Sequence, residues 1–317
     1  MPLTDQKVKS RLKSVSAGLL TPFDAEGKIR HDDLRSNIRS LYQQGIRSFL
    51  AVANISEYHS LSQEERIALA ETSVEEIPSD AAVLAGVGGS TGDATELIRA
   101  YDRIGVDAMM IMPPDHSYIH ERGLLQYYSE LSKATDRPLV PYVKGFDPSV
   151  EYLADLTRVD GVIGIKYAIA NPSKLGSAAE RGADDVVWVD GLAEPFAVAA
   201  WAEGAEGFSA GVSNFRPEVG LALYDALKNG NWERARRLRN ICLPFQRLRE
   251  RTGANNTISA AASIPTVKKG LELSGLHGGH VREPLESLSE TDERRVEEVY
   301  QQLDEDIERL VEQPTTH

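Results

Sequence analysis

Lys166 closes the apolar run Val162-Ile163-Gly164-Ile165, and Tyr142 closes another, Pro138-Leu139-Val140-Pro141. Short apolar runs of this kind read as strands buried on both faces. An ammonium at the mouth of such a sheet loses hydration, so its amine deprotonates more readily and becomes a nucleophile. A free amine attacks a ketone to give an imine, and the protonated imine withdraws electrons from the adjacent carbon. A phenol beside it can carry the protons. Lysine more often snorkels from an edge strand, and tyrosine more often fills a core. The two therefore matter together only if the fold brings both to the same end of adjacent strands.

The elements that would do so recur along the chain. Apolar stretches predict strands at 15–20, 47–53, 82–87, 107–112, 138–143, 161–165, 186–189 and 206–210. Helical patterns alternate with them. His31-Asp32-Asp33 opens one helix, with Leu34, Ile38, Leu41 and Tyr42 on one face and Gly45 at its end. Ser62-Gln63-Glu64-Glu65 is a capping box that starts another. Further helices are expected at 94–104, 121–134, 150–157, 174–181, 195–203 and 216–228. Gly88-Gly89-Ser90-Thr91-Gly92 lacks the Gly-Lys-Ser/Thr ending of a phosphate loop and reads as a tight strand-to-helix turn.

Eight strand–helix units in series require parallel strands and right-handed crossovers. They run to about residue 230, close to the ~250 residues of a closed (β/α)8 TIM barrel. A doubly wound open sheet would want Gly-x-Gly-x-x-Gly after the first strand, and none is present. The expected organisation is a barrel over 14–230 and a C-terminal helical extension over 231–317, with helices at 232–251, 263–274 and 292–312. The extension would pack on the barrel or serve an oligomer contact, and 313–317 would be a frayed tail.

Composition narrows the function classes. With 317 residues, 41% hydrophobic and 26% charged, the chain has an ordinary globular balance. A net charge of −13 argues against a nucleic-acid surface. Cys242 is the single cysteine, so no intrachain disulfide or cysteine metal cluster can form, and a reducing, cytoplasmic setting is expected. Cys242 itself reads as a packed apolar residue. Met1 to Lys13 is basic but is followed by no signal-peptide core, and no apolar run approaches membrane-spanning length. The seven histidines show no metal spacing.

In a TIM barrel the active site lies at the C-terminal ends of the strands. Those ends carry Asn54-Ile55-Ser56-Glu57, Pro113-Pro114-Asp115-His116, Tyr142 with Lys144, Lys166 with Tyr167, Asp190-Gly191, and Ser209-Ala210-Gly211.

At this point the chain resembles the dihydrodipicolinate synthase/N-acetylneuraminate lyase family of class I aldolases. Gly164-Ile165-Lys166 is similar to the family's Gly-x-Lys Schiff-base strand, and Pro138-Leu139-Val140-Pro141-Tyr142 to the strand with its catalytic tyrosine. Ser60-Leu61-Ser62-Gln63-Glu64-Glu65 resembles the segment after its carboxylate loop. Ile264-Pro265-Thr266-Val267-Lys268 and Val281-Arg282-Glu283-Pro284-Leu285 resemble its tail. The resemblance implies Lys166 as the imine-forming residue, Tyr142 as proton relay, no cofactor, and a homotetramer or homodimer.

The departures point away from the synthase itself. Its Gly-Thr-Thr-Gly-Glu loop is Ala53-Asn54-Ile55-Ser56-Glu57 here, so binding of a carboxylate falls to the backbone of Asn54, Ile55 and Ser56 and the Asn54 side chain. Pro114-Asp115 replaces its tyrosine pair, with Asp115 or His116 as substitutes. Its downstream arginine falls near Asp147, leaving Lys144 to meet a distal carboxylate. The segment Phe208 to Pro217 resembles that of sugar-acid dehydratases such as 5-dehydro-4-deoxyglucarate dehydratase, and its hydroxyls suit a polyhydroxylated chain. Alternatively, Ser209 and Ser213 only cap the next helix. The expected activity is a Schiff-base lyase on a 2-keto-3-deoxy sugar acid, most simply dehydration, with Gly191, Ser209 and Ala210 also against the substrate. Retro-aldol cleavage to pyruvate and an aldehyde uses the same lysine, and a non-catalytic 2-keto-acid sensor stands as the reading from another class.

Overall fold

A computed structural model describes residues 2–311, so the expected tail at 313–317 lies outside the described residues. Eight parallel strands close into a barrel in chain order. They are β1 (Val15–Gly18), β2 (Ser48–Ala51), β3 (Ala82–Val87), β4 (Ala108–Ile111), β5 (Leu139–Val143), β6 (Gly164–Tyr167), β7 (Val187–Asp190) and β8 (Gly207–Ser209). Every strand residue is buried, because inward side chains meet across the barrel axis and outward ones meet helices. The (β/α)8 expectation therefore holds.

Several boundaries differ, with local reasons. The run expected as a strand at 161–165 begins in a turn, since Gly161 takes φ 77° and Val162 makes only an isolated bridge to Leu139. The ladder runs from Gly164 to Tyr167, so Lys166 lies inside β6. Of the helices on the outside, α2 (His31–Gln43) buries Leu34, Ile38 and Leu41 as its periodicity requires. The capping box opening α3 (Gln63–Glu76) is present, with Glu65 N–H donating to Ser62 Oγ at 3.2 Å and Ser62 N–H to Glu65 Oε2 at 2.9 Å. The glycine-rich turn is shorter than expected. Ser90 accepts from the Asp93 amide, so α4 (Thr91–Ile104) starts three residues before 94. α5 (Glu121–Ser132), α6 (Val150–Leu156), α7 (Pro172–Arg181), α8 (Glu194–Ala202) and α9 (Pro217–Lys228) complete the ring.

One helix has no counterpart in the sequence reading. α1 (Asp5–Leu12) closes the N-terminal end of the barrel with Val8 and Leu12. Its eight residues are mostly polar and too few to show a helical period. The fit is close: a Cβ on Gly207 would stand 2.1 Å from the Leu12 carbonyl. The opposite end of the barrel is left to the loops.

Beyond α9 the chain is helical, with α10 (Trp232–Arg249), α11 (Ser263–Leu273) and α12 (Glu290–Val311). α10 lies against α8 and α9, and α12 lies across α10. Leu238, Cys242 and Phe245 of α10 are fully buried, and the Phe245 ring sits 4.8 Å from that of Phe215. Leu238 and Phe245 each contribute roughly 1.5–3 kcal/mol by burial. The extension thus packs on the barrel, and Cys242 is the apolar residue expected. Among the described residues no helix is long and apolar enough to cross a membrane.

Candidate active site

A cavity of about 540 Å³ opens at the C-terminal ends of the strands. Lys166 and Tyr142 both line it, as do Asn54, Ile55, Lys144, Gly191, Ser209 and Ala210. Tyr142 and Lys166 are register partners across β5 and β6. Lys166 Nζ lies 4.3 Å from the centre of the Tyr142 ring. Burial, with the nearby Lys144 charge second, lowers the lysine to about 7, so near neutral pH a large fraction is free amine. Burial raises the Tyr142 phenol to about 12, against a hydrogen bond from the Asn54 side chain that lowers it. It therefore stays protonated and can donate. Asp190, one strand over, is buried with Oδ2 unbonded among the described residues, and burial raises its pKa to about 8.

The loop after β2 departs from the expectation at one residue. Asn54–Ser56 forms a 3-10 turn whose Asn54 and Ile55 amides bond to nothing among the described residues and can meet an anion. Ser56 does not face the cavity. Its hydroxyl donates to the Leu19 carbonyl and accepts from the Ala53 amide at 2.9 Å, and its own amide bonds Ala53 O at 2.9 Å. Ser56 holds the loop's shape. The turn needs close backbone approach: Val52 takes φ 54°, and a Cβ on Gly86 would stand 2.0 Å from its carbonyl.

The tail motifs anchor this loop. Glu57, at φ 61°, is buried, and Lys268 of α11 places Nζ 2.6 Å from its Oε1. The Arg282 amide donates to Glu57 Oε2 at 2.9 Å, while the Arg282 guanidinium grips both oxygens of Glu65, at 2.8 and 2.6 Å. Two segments of the extension thus fix the loop by charge-assisted bonds.

Asp115 and His116 are not brought into the cavity. After Pro113 and Pro114 the β4–α5 loop runs over the surface, and both side chains are exposed, with His116 Nδ1 accepting from the Tyr118 amide. Asp147 also stays outside, ion-paired with Lys174. Neither serine after β8 caps a helix. Ser209 Oγ bonds Asp190 O at 3.3 Å from the cavity wall, and Ser213 Oγ bonds Glu194 at 2.6 Å.

Three polar residues were missed. Glu194 is fully buried and accepts from the amides of Gly211, Val212 and Ser213, from the Ser213 hydroxyl, and from Gln246 Nε2 at 2.7 Å. It holds the loop after β8. Gln246 and Arg249 of α10 line the cavity, with Arg249 Nη1 donating to Gln246 Oε1 at 2.7 Å. A signal existed: Cys242, Phe245, Gln246 and Arg249 share one stripe at spacings of three, four and seven, so two polar side chains lie on an apolar face.

Residues 11–303 match the sequence model described as the "Dihydrodipicolinate synthetase family". A Streptomyces coelicolor protein named "Probable 5-dehydro-4-deoxyglucarate dehydratase 1" is 30% identical over 302 residues, covering 91% of this chain and 93% of that one. A Bacillus subtilis protein named "Probable 5-dehydro-4-deoxyglucarate dehydratase" is 28% identical over 303 residues, covering 93% and 94%. Among solved structures, dihydrodipicolinate synthase from Oceanobacillus iheyensis superposes with a TM-score of 0.89 at 29% identity, covering 95% of this chain and 100% of that one.

Proposed function

The chain belongs to the dihydrodipicolinate synthetase family and is a lyase, and we propose that it dehydrates a 2-keto-3-deoxy sugar acid through a Schiff base on Lys166. The observation that carries this is the Lys166–Tyr142 pair, a buried amine of depressed pKa 4.3 Å over a protonated phenol in an open cavity. Support also comes from the names of the dehydratase relatives, and from the resemblance, which puts the synthase's arginine position near Asp147, here ion-paired with Lys174.

Counting from the carboxyl next to the ketone, Lys166 Nζ adds to C2 and water leaves, giving the imine. A C3 proton departs to a base, and the electron pair moves toward the protonated imine. The C4 hydroxyl leaves as water after accepting a proton, which Tyr142 relays. Hydrolysis of the imine then restores the amine. The free amides of Asn54 and Ile55 hold the C1 carboxylate, and Ser209 meets a hydroxyl of the chain. Retro-aldol cleavage would break C3–C4 from the same imine. We also propose that the chain works as a homotetramer or homodimer, since Tyr118 and Ile119 expose apolar surface on the β4–α5 loop; light scattering on the purified protein tests this.

Borohydride reduction with a panel of 2-keto acids, followed by mass spectrometry of the Lys166 peptide, tests the covalent step. No adduct with any of them would defeat the proposal. Pyruvate released in stoichiometric amount from the best substrate would replace dehydration with cleavage.

A further inference from the structure

Gly211, just after β8, marks where the C-terminal extension enters the cavity. A Cβ there would stand 1.8 Å from Gln246 Nε2 and 2.8 Å from Arg249 Nη1, so a side chain would drive both residues of α10 back. Behind this opening Gln246 Nε2 donates to Glu194 Oε2 at 2.7 Å, and Gln246 Oε1 accepts from Arg249 Nη1 at 2.7 Å. Arg249 Nε donates to Ser263 Oγ at 3.2 Å, at the start of α11. The guanidinium is thus fixed from two sides, and it lines the same cavity as Tyr142 and Lys166. Two acids offset part of its charge: Glu194, whose oxygens also accept from the Gly211, Val212 and Ser213 amides, and Glu250 at the cavity rim. Burial is the main influence on the Tyr142 phenol; against it, the Asn54 hydrogen bond and then the Arg249 charge favour the ionised form, while Asp190 opposes it. The other cations of the cavity are less constant. Burial lowers both Lys166 and Lys144, and the Arg249 charge adds to that, whereas a guanidinium keeps its own charge.

We infer that Arg249 is a positioning residue for the proton relay: its fixed positive charge, held in place by the C-terminal extension, stabilises the phenolate that Tyr142 becomes each time it gives up its proton. This rests on the reading of Tyr142 as the relay. In the dehydration the Tyr142 O–H bond breaks as the C4–O bond breaks, and the proton leaves with the hydroxyl as water. The phenolate then recovers a proton equivalent to the one that left C3. A buried phenolate is costly to form without a cation near it, and a charge already in place needs no rearrangement at that moment. Lys166 offers no steady substitute. Its nitrogen is neutral as the free amine, and neutral again once the C3 electron pair has moved toward the imine.

A 3-fluorotyrosine placed at position 142 and titrated by fluorine NMR tests the charge without any substrate. Its midpoint should move to higher pH in Arg249→Met and stay near that of the unchanged protein in Arg249→Lys, which keeps the charge but loses the fork held by Gln246. In turnover of the 2-keto-3-deoxy sugar acid that reacts fastest, Arg249→Met should lower kcat roughly 10- to 100-fold with little change in KM. Borohydride should still trap pyruvate on Lys166 in that variant, which shows that the site is intact. Arg249→Lys should recover most of the loss, and Arg249→Met should cost nothing further in a Tyr142→Phe background. Should Arg249→Met fail to fold, Arg249→Gln, which keeps an N–H donor and loses the charge, carries the same comparisons. An unmoved midpoint, a lysine variant as slow as the methionine one, or losses that add to that of Tyr142→Phe each overturn the inference; the last two would make Arg249 a brace for α10 and α11 only. Tyr142→Phe turnover within tenfold of wild type would sink the relay reading itself, and it is told apart because the fluorine midpoint would still move.

Discussion

Lys166 and Tyr142 meet because β5 and β6 pair them in register, and the amine lies over the phenol ring at 4.3 Å. The contact separates two roles that substitution can resolve. Tyr142→Phe keeps the ring and removes the proton. It should lower kcat by roughly 10²- to 10⁴-fold while borohydride still traps pyruvate on Lys166. Lys166→Ala should abolish both turnover and adduct. A Tyr142→Phe enzyme within tenfold of wild type would remove the phenol from the proton path.

The depressed amine sets a pH dependence. Lys166 attacks only as free base, so imine formation should rise with pH to about 7 and then level off. Lys144 is the second cause of the depression after burial. Removing that like charge in Lys144→Met should move the inflection upward, to higher pH, and a stopped-flow pH profile of imine formation reads this directly. An inflection that stayed in place or moved down would contradict the charge arrangement.

Most of the barrel was legible because its strands are buried on both faces and appear as uninterrupted apolar runs, as at Ala82–Val87. Lys166 was legible for the same reason: a charge closing such a run stands out. Ser56 was misread because sequence shows a hydroxyl in a loop but not that Leu19 and Ala53 consume it. Asp115 and His116 were misread because the position after β4 predicts proximity to the barrel mouth, while two prolines carry the chain outward. Arg249 was hidden among the neighbouring arginines 247 and 251, and only its place on the buried stripe of α10 distinguishes it.

Asp190 predicts a trend in stability with a defined sign. Its pKa is near 8 in the fold, held up mainly by burial, and near 4 in the unfolded chain. Between those values the folded protein binds the extra proton, so Asp190 makes stability fall as pH rises. Lys166 acts oppositely and later, since its depressed pKa adds stability as pH climbs from about 7 toward the unfolded value. Asp190→Asn should therefore lose the decline between pH 4 and 8, and its urea midpoint should exceed that of wild type at pH 8 by more than at pH 5. Parallel midpoints at both pH values would mean that the carboxyl does not titrate in this window.

The Glu57–Lys268 pair ties the loop that would hold the substrate carboxylate to the C-terminal extension, and its burial makes the pair sensitive to removal of one partner. The side chains are 0% and 3% exposed, and Lys268 Nζ also donates to the Thr21 carbonyl at 2.8 Å. Lys268→Met leaves the Glu57 carboxylate buried with the Arg282 amide as its remaining partner. Breaking a buried pair in this way costs about 3–5 kcal/mol. Glu57→Gln strands the ammonium in the same setting. The double variant leaves neither member of the pair as an unpaired buried charge, so it should lose less than the two single losses added together, and denaturant unfolding of the four proteins measures the coupling. If the pair also positions the Asn54 and Ile55 amides, KM for 2-keto acids should rise in the double variant even where stability returns. Additive losses would mean that the two charges do not depend on each other, and the extension would then hold the loop through Arg282 and Glu65 instead.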